Sequence, residues 1–113
     1  MKGFNIILLF ADTTTEISRL CEKISDAPSV EDARRMANYA RGMVQMLENI
    51  SNAAICFENN NITPDLEAVT VELTIRIYQA VCDAAIKNGD DECFVKAAQK
   101  RDDLSKWLKE LES

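Results

Sequence analysis

The chain has 113 residues and a hydrophobic fraction of 47%, so a single globular domain spanning residues 1–113 is the default expectation. Its formal net charge of −6 argues against direct nucleic-acid binding, because nucleic-acid-binding domains carry an excess of Lys and Arg. The acidic excess is local. Residues 58–92 hold eight Asp or Glu against Arg76 and Lys87, which accounts for the whole imbalance. Such a segment can attract a basic partner, or it can simply form a well-solvated surface.

A helix over residues 1–26 is the first predicted element. Two neighbouring rows of residues at seven-residue spacing indicate it: Ile6, Thr13 and Leu20, then Phe10, Ile17 and Ile24. The alternative is a strand near 4–10 followed by a shorter helix. The apolar run from Phe4 to Ala11 is too short to span a bilayer, and no good cleavage site follows it, so we expect neither a membrane span nor a signal peptide. Phe4, Ile7 and Leu8 make its first turns apolar on all sides, so another surface must cover them.

The second predicted helix runs from Val30 to Phe57, with Ser29 as a candidate N-cap. Its apolar seam again consists of two rows at seven-residue spacing: Ala33, Ala40, Leu47 and Ala54, then Met36, Met43, Ile50 and Phe57. Arg34, Arg35 and Arg41 form a small basic spot elsewhere on this helix. The spot is either a solvated surface or a contact for an anion or an acidic partner.

Residues 64–88 carry conflicting signals. Thr63-Pro64 is a strong helix start and Asn88-Gly89 is a typical helix end. Between them, apolar and polar residues alternate from Val69 to Ile77, which is typical of a half-buried strand. The terminal signals favour a helix, and an α+β fold with strands near 4–10 and 68–78 is the alternative.

As a helix, this third segment has two apolar faces. The first face comprises Leu66, Val69, Leu73, Ile77, Ala80 and Ala84, and the second face comprises Ala68, Val71, Ile75, Tyr78, Cys82 and Ile86. A helix in a small bundle usually buries a single face. We therefore expect the second face to meet the N-terminal turns, a second copy of the chain, or another protein.

The last predicted helix begins after Asp90 or Asp91 and runs to about Leu111. Its apolar seam contains Arg101, which is a candidate anion contact if it is buried and an ordinary boundary residue otherwise. Trp107 lies at the edge of the seam. Short connections between four helices favour an all-α, antiparallel up-down-up-down four-helix bundle.

The sequence offers little for catalysis. It contains no histidine, and its three glycines are too scattered for a phosphate-binding loop. Its four cysteines, Cys21, Cys56, Cys82 and Cys93, form no C-x-x-C pair. We therefore expect free thiols, a cytoplasmic location, and no catalytic residue, metal or cofactor.

These observations predict a small acidic protein-interaction module, such as a regulator, an inhibitor or a chaperone-like protein. Its partner would be another protein, and a homodimer is the simplest case. The predicted interface comprises Val71, Ile75, Tyr78, Cys82, Phe4, Leu8 and Trp107. Two alternatives remain: a ligand-binding or enzymatic bundle using Arg101 and carboxylates, and an acidic mimic that inhibits a basic or nucleic-acid-binding protein.

Overall fold

Four helices form the described part of the chain in a computed structural model. The structure describes residues 6–57 and 63–113, and the side chains within 8–50 and 67–113. The helices are α1 (Ile6–Ser25), α2 (Val30–Phe57), α3 (Thr63–Lys87) and α4 (Asp91–Glu112). The all-α prediction is confirmed. The alternative strands are wrong, since residues 6–10 and 68–78 are helical; residues 4 and 5 lie outside the described part.

Local hydrogen bonds explain where the helices begin and end. The Ser29 hydroxyl accepts a bond from the backbone N–H of Asp32 (3.2 Å), which caps α2 as predicted. Gly89 takes a positive φ of 69° and ends α3 in a Schellman motif, in which the Asp90 N–H donates to the Ala85 carbonyl (2.9 Å). The Asp90 carboxylate then accepts from the Cys93 N–H (2.9 Å) and caps α4. One short connection thus ends one helix and starts the next.

The main core lies where α1, α2 and α3 meet. The predicted rows of α1 and the first row of α2 are buried there as far as their side chains are described, whereas Met36, Met43 and Ile50 of the second α2 row are half-buried. The first face of α3 is buried from Leu73 onward. Ile17, Ile24, Leu47, Leu73 and Ile77 are among its largest fully buried side chains. These three helices pack pairwise against one another.

Contacts far apart in the sequence fix the helix directions. Lys87, at the end of α3, donates to the Asp26 carboxylate (2.9 Å) just after the end of α1. Further back along both helices, Arg76 donates to the Ser18 hydroxyl (3.2 Å). Helices α1 and α3 are therefore parallel, and α2 and α4 run the opposite way. This is the predicted up-down-up-down order.

Helix α4 is peripheral. It packs mainly on α3, and Ala97 is its one buried residue. The Cα atoms of the molecule extend over 49 × 31 × 15 Å, so the helices form a flat slab. Helix α3 is central to the slab because it contacts each of the other three helices. This position explains why α3 has two apolar faces.

Candidate functional site: a groove between α2 and α4

A surface groove runs between α2 and α4, and α3 forms its floor. Its wide section has a volume of about 700 Å³ and its narrow section about 390 Å³. Asn38 and Arg41 line both sections, so the two sections adjoin each other along α2, and together they are called the groove. On α2 the lining extends from Arg34 to Glu48, and on α4 it extends from Glu92 to Trp107. Each wall is therefore roughly 21–23 Å long, at 1.5 Å of rise per residue.

The floor of the groove is mainly apolar, with polar groups from two side chains. Val71 and Thr74 lie in the narrow section, and Tyr78 and Val81 lie in the wide one. The Arg41 guanidinium stands over the Tyr78 ring, 5.4 Å from its centroid, which is cation–π geometry. This contact links α2 to α3 near the middle of the groove.

The wide section has a local positive charge, although the chain is acidic overall. Four cations line it, namely Arg34, Arg41, Lys96 and Lys100. Its two carboxylates are both engaged: Glu92 pairs with Lys96 (3.0 Å), and Asp90 caps α4. Within residues 8–50 and 67–113, no carboxylate lies within ion-pair distance of Arg34, Arg41 or Lys100. The groove therefore offers three cationic side chains that are free to pair with an anion.

The sequence identified only part of this cationic group. Arg34 and Arg41 belong to the predicted basic spot, and both line the groove. Arg35, its third member, pairs instead with Asp32 on its own helix (3.4 Å) and does not line the groove. Lys96 and Lys100 were missed. Their spacing of four residues puts them on one side of α4, but only the packing of α4 on α3 brings that side opposite α2.

Part of the predicted interface is covered by the chain itself. Val71 is 4% exposed and Cys82 is 0% exposed, whereas Ile75 and Tyr78 are half-buried. Helix α4 provides the cover, since Leu104 and Trp107 line the same section of the groove as Val71. The N-terminal turns, a second copy or another protein were the expected covers of the second face of α3, and α4 is a cover that the sequence did not indicate. Cys82 is therefore unavailable to a partner in this packing, and Val71 keeps only a small exposed area at the floor of the groove.

The remaining members of the predicted interface are dispersed. Leu8 near the start of α1 is 60% exposed, and Trp107 on α4 is 45% exposed. Trp107 lines the narrow section of the groove, whereas Leu8 lies outside the groove. Phe4 lies outside the described residues.

Arg101 is engaged in a polar contact between helices. Its Nη1 donates to the Gln79 side-chain oxygen on α3 (2.9 Å), and its Nε donates to the Asp102 carboxylate (3.0 Å). Gln79 in turn donates to Asp83 (3.0 Å). The Arg101 side chain is 27% exposed, so its stem packs while its head remains near water. This geometry matches the boundary-residue interpretation of Arg101.

Three of the cysteines have described side chains, and Cys21, Cys82 and Cys93 are all free thiols. Burial raises the pKa of each above its usual value. Nearby Arg101 partly opposes this rise in the pKa of Cys82, and Arg34 does so for Cys93, although Asp90 adds to the rise there. A raised pKa disfavours the nucleophilic thiolate, so these thiols lack the activation that a catalytic cysteine needs. Cys56 lies among the side chains that are not described.

Neither a metal centre nor a membrane span is found in the described part of the chain. No group of three or more Cys, Asp or Glu side chains converges there in a way that could hold a metal ion. Within residues 6–57 and 63–113, none of the helices combines the length and apolarity that crossing a bilayer requires. Among the described residues, the groove is thus the site that we consider further.

Comparison with known proteins gives no relative: no family model, curated protein or solved structure matches this chain.

Proposed function

We propose that this protein is an interaction module that binds a helical segment of a partner protein in the groove between α2 and α4. The observation that carries the proposal is the groove itself: two parallel helical walls of about four turns each, with an apolar floor. Amphipathic helices bind proteins by laying an apolar stripe into such grooves. The proposed activity is binding without catalysis.

The edges of the groove also suit this role. Trp107 remains 45% exposed at the narrow section, and tryptophan is enriched among the residues that dominate binding energy. Val95, on the wide section, is an exposed apolar side chain. A docked helix would bury both. Removing a large apolar side chain from water contributes roughly 1.5–3 kcal/mol when burial is complete.

We also propose a cytoplasmic location, which is supported by the three free thiols among the described side chains. Self-association was expected through the second face of α3, but α4 covers much of that face. A second copy therefore becomes one alternative occupant of the groove, to be distinguished by experiment.

A selection from displayed helical peptides tests the proposal. The full chain would be used to select from a library of 16-residue amphipathic sequences, and the binders would be mapped by NMR on the isotope-labelled chain. We expect the largest amide shifts along the two walls, from Arg34 to Glu48 and from Glu92 to Trp107. Peptides that shift other surfaces instead, or a selection that yields no binder, would count against the groove.

A blocking variant and a matched control make the mapping decisive. Asn38 is exposed and lines both sections, so Asn38→Trp places an indole in the middle of the groove. Met46 is an exposed residue of the same helix outside the groove, so Met46→Trp adds the same ring elsewhere. We expect Asn38→Trp to weaken peptide binding at least tenfold, a loss of about 1.4 kcal/mol, and Met46→Trp to leave binding unchanged. Equal effects of the two variants would refute the proposed site.

A further inference from the structure

We infer that the groove selects an acidic amphipathic helix: a segment with an apolar stripe flanked by Asp or Glu side chains, supplied by a different protein. This inference rests on the proposed function and adds the chemistry of the partner. It depends on the contrast between the groove and the rest of the chain.

That contrast is one of sign. The chain has a net charge of −6, yet the wide section brings together Arg34, Arg41, Lys96 and Lys100 against two carboxylates that already have partners. These cations come from both walls, two from α2 and two from α4. A helix lying between the walls would therefore meet positive charge on each side. Complementary charge of this kind sets specificity and orientation and speeds association.

The floor between the cations favours an amphipathic helix over a general polyanion as the partner. Tyr78 and Val81 of α3 lie between the two pairs of cations, and apart from the Tyr78 hydroxyl they present apolar atoms rather than hydrogen-bond donors. A polyanion such as a nucleic acid would use the cations and leave this floor without a contact. An amphipathic helix would use both, because its apolar stripe meets the floor while its carboxylates reach the walls.

The charge of the chain also argues for a different protein as the source of the helix. A second copy would bring a net charge of −6 towards a body that carries the same excess, so the two copies would repel each other beyond the groove. Moreover, the described part of α3 has three exposed carboxylates, Glu67, Glu72 and Asp83, so a second copy that packed on this helix would meet further negative charge. A heterologous helix meets neither obstacle.

Two synthetic peptides test the inference. Both would have 16 residues and the same Leu and Ala stripe, with Glu at the flanking positions of one and Lys at those of the other. Binding to the full chain would be measured by fluorescence anisotropy in low salt and in higher salt. We expect the Glu peptide to bind at least tenfold more tightly, and this advantage to shrink as salt screens the charges.

Charge reversal on α4 provides the matched variants. Lys96→Glu/Lys100→Glu should weaken binding of the Glu peptide at least tenfold and strengthen binding of the Lys peptide. Lys106→Glu/Lys109→Glu makes the same charge change on exposed residues of the same helix outside the groove, and it should alter neither affinity by more than about twofold. Circular dichroism of both variants would verify that the helices are intact.

Each other outcome has a distinct meaning. If both peptides bind equally and Asn38→Trp abolishes both, the charge inference is wrong and the proposed function stands. If neither peptide is sensitive to Asn38→Trp, both proposals fail. An acidic peptide without the apolar stripe that binds as well as the Glu peptide would show a general polyanion surface and overturn the inference. A dimer of the free chain that Asn38→Trp dissociates would show that a second copy is the occupant, which also overturns it.

Discussion

The two described glycines offer a sharp test of the backbone geometry. Gly42 lies within α2 and is exposed, and a Cβ atom built on it meets no atom within 4 Å. Gly42→Ala should therefore raise the free energy of unfolding by about 0.8–1.0 kcal/mol, which is the difference in helix propensity between the two residues. With an unfolding entropy of roughly 2.1 cal/mol/K per residue, this gain corresponds to a rise in Tm of roughly 4 °C for this chain.

Gly89 is the matched control, because a Cβ atom built there also meets no atom within 4 Å. Its φ of +69° is disfavoured for an L-residue, so Gly89→Ala should lower the free energy of unfolding by about 1–2 kcal/mol. Urea unfolding followed by circular dichroism would measure both variants. Neither added Cβ atom meets a neighbouring group, so the two changes in the free energy of unfolding should have opposite signs. Changes of the same sign would contradict either the helical backbone at Gly42 or the positive φ at Gly89.

Three further predictions follow from individual contacts. Arg101→Leu should change the free energy of unfolding by less than about 1 kcal/mol in urea melts, because its hydrogen-bond partners remain near water; a loss above 3 kcal/mol would indicate a buried ion pair. Hydrogen bonding to Lys87 lowers the pKa of Asp26, so this contact stabilises the fold at pH values above the ordinary pKa of Asp. The stabilisation is lost as the pH falls through the lowered pKa. Lys87→Met should restore the ordinary pKa of Asp26 in an NMR titration. Ile75→Asp should lower the free energy of unfolding by about 2–3 kcal/mol in urea melts, since this half-buried residue lies on the second face of α3, and the mass by light scattering should not change. A lower mass at unchanged stability would instead support a dimer interface on that face.

Helix positions followed from the sequence because their signals are local. The seven-residue rows of α2 place Ala33, Ala40 and Leu47 on one side, and the structure buries all three. Ser29 and Asp90 cap helices through their own side chains, and Gly89 ends α3 through its own backbone. Such features depend on residues within one or two turns, so spacing and residue type are sufficient to predict them.

The alternation of apolar and polar residues from Val69 to Ile77 was the main conflict in the sequence, because it predicts a strand between two helix-end signals. The strand preference of this short stretch did not decide its structure. Val69, Val71 and Leu73 alternate with polar residues as in a strand, yet α3 is helical throughout this stretch. A helix buried on two sides needs apolar residues at most positions, and such a helix can resemble alternation over a short window. The alternation was thus a sign of two-sided burial rather than of extended backbone.

The candidate site could be predicted only in part, because it depends on which helices become neighbours. Arg34 and Arg41 stood out as a basic spot on a single helix, but nothing in the local pattern linked them to Lys96 and Lys100 on α4. Periodicity shows which side of a helix is apolar and does not identify what covers that side. The groove exists because α4 packs on α3 and leaves α2 at a distance, which is a property of the whole fold.

The central position of α3 connects these findings. A helix with one apolar face would have joined α1 and α2 and left α4 without a surface to pack on. The second face recruits α4, and this places Lys96 and Lys100 opposite Arg34 and Arg41 with Tyr78 between them. The apolar residues that first suggested an exposed interface therefore act indirectly. Val71 and Cys82 are buried beneath α4 and stabilise its packing on α3. Helix α4 in turn forms one wall of the groove that we propose as the binding site.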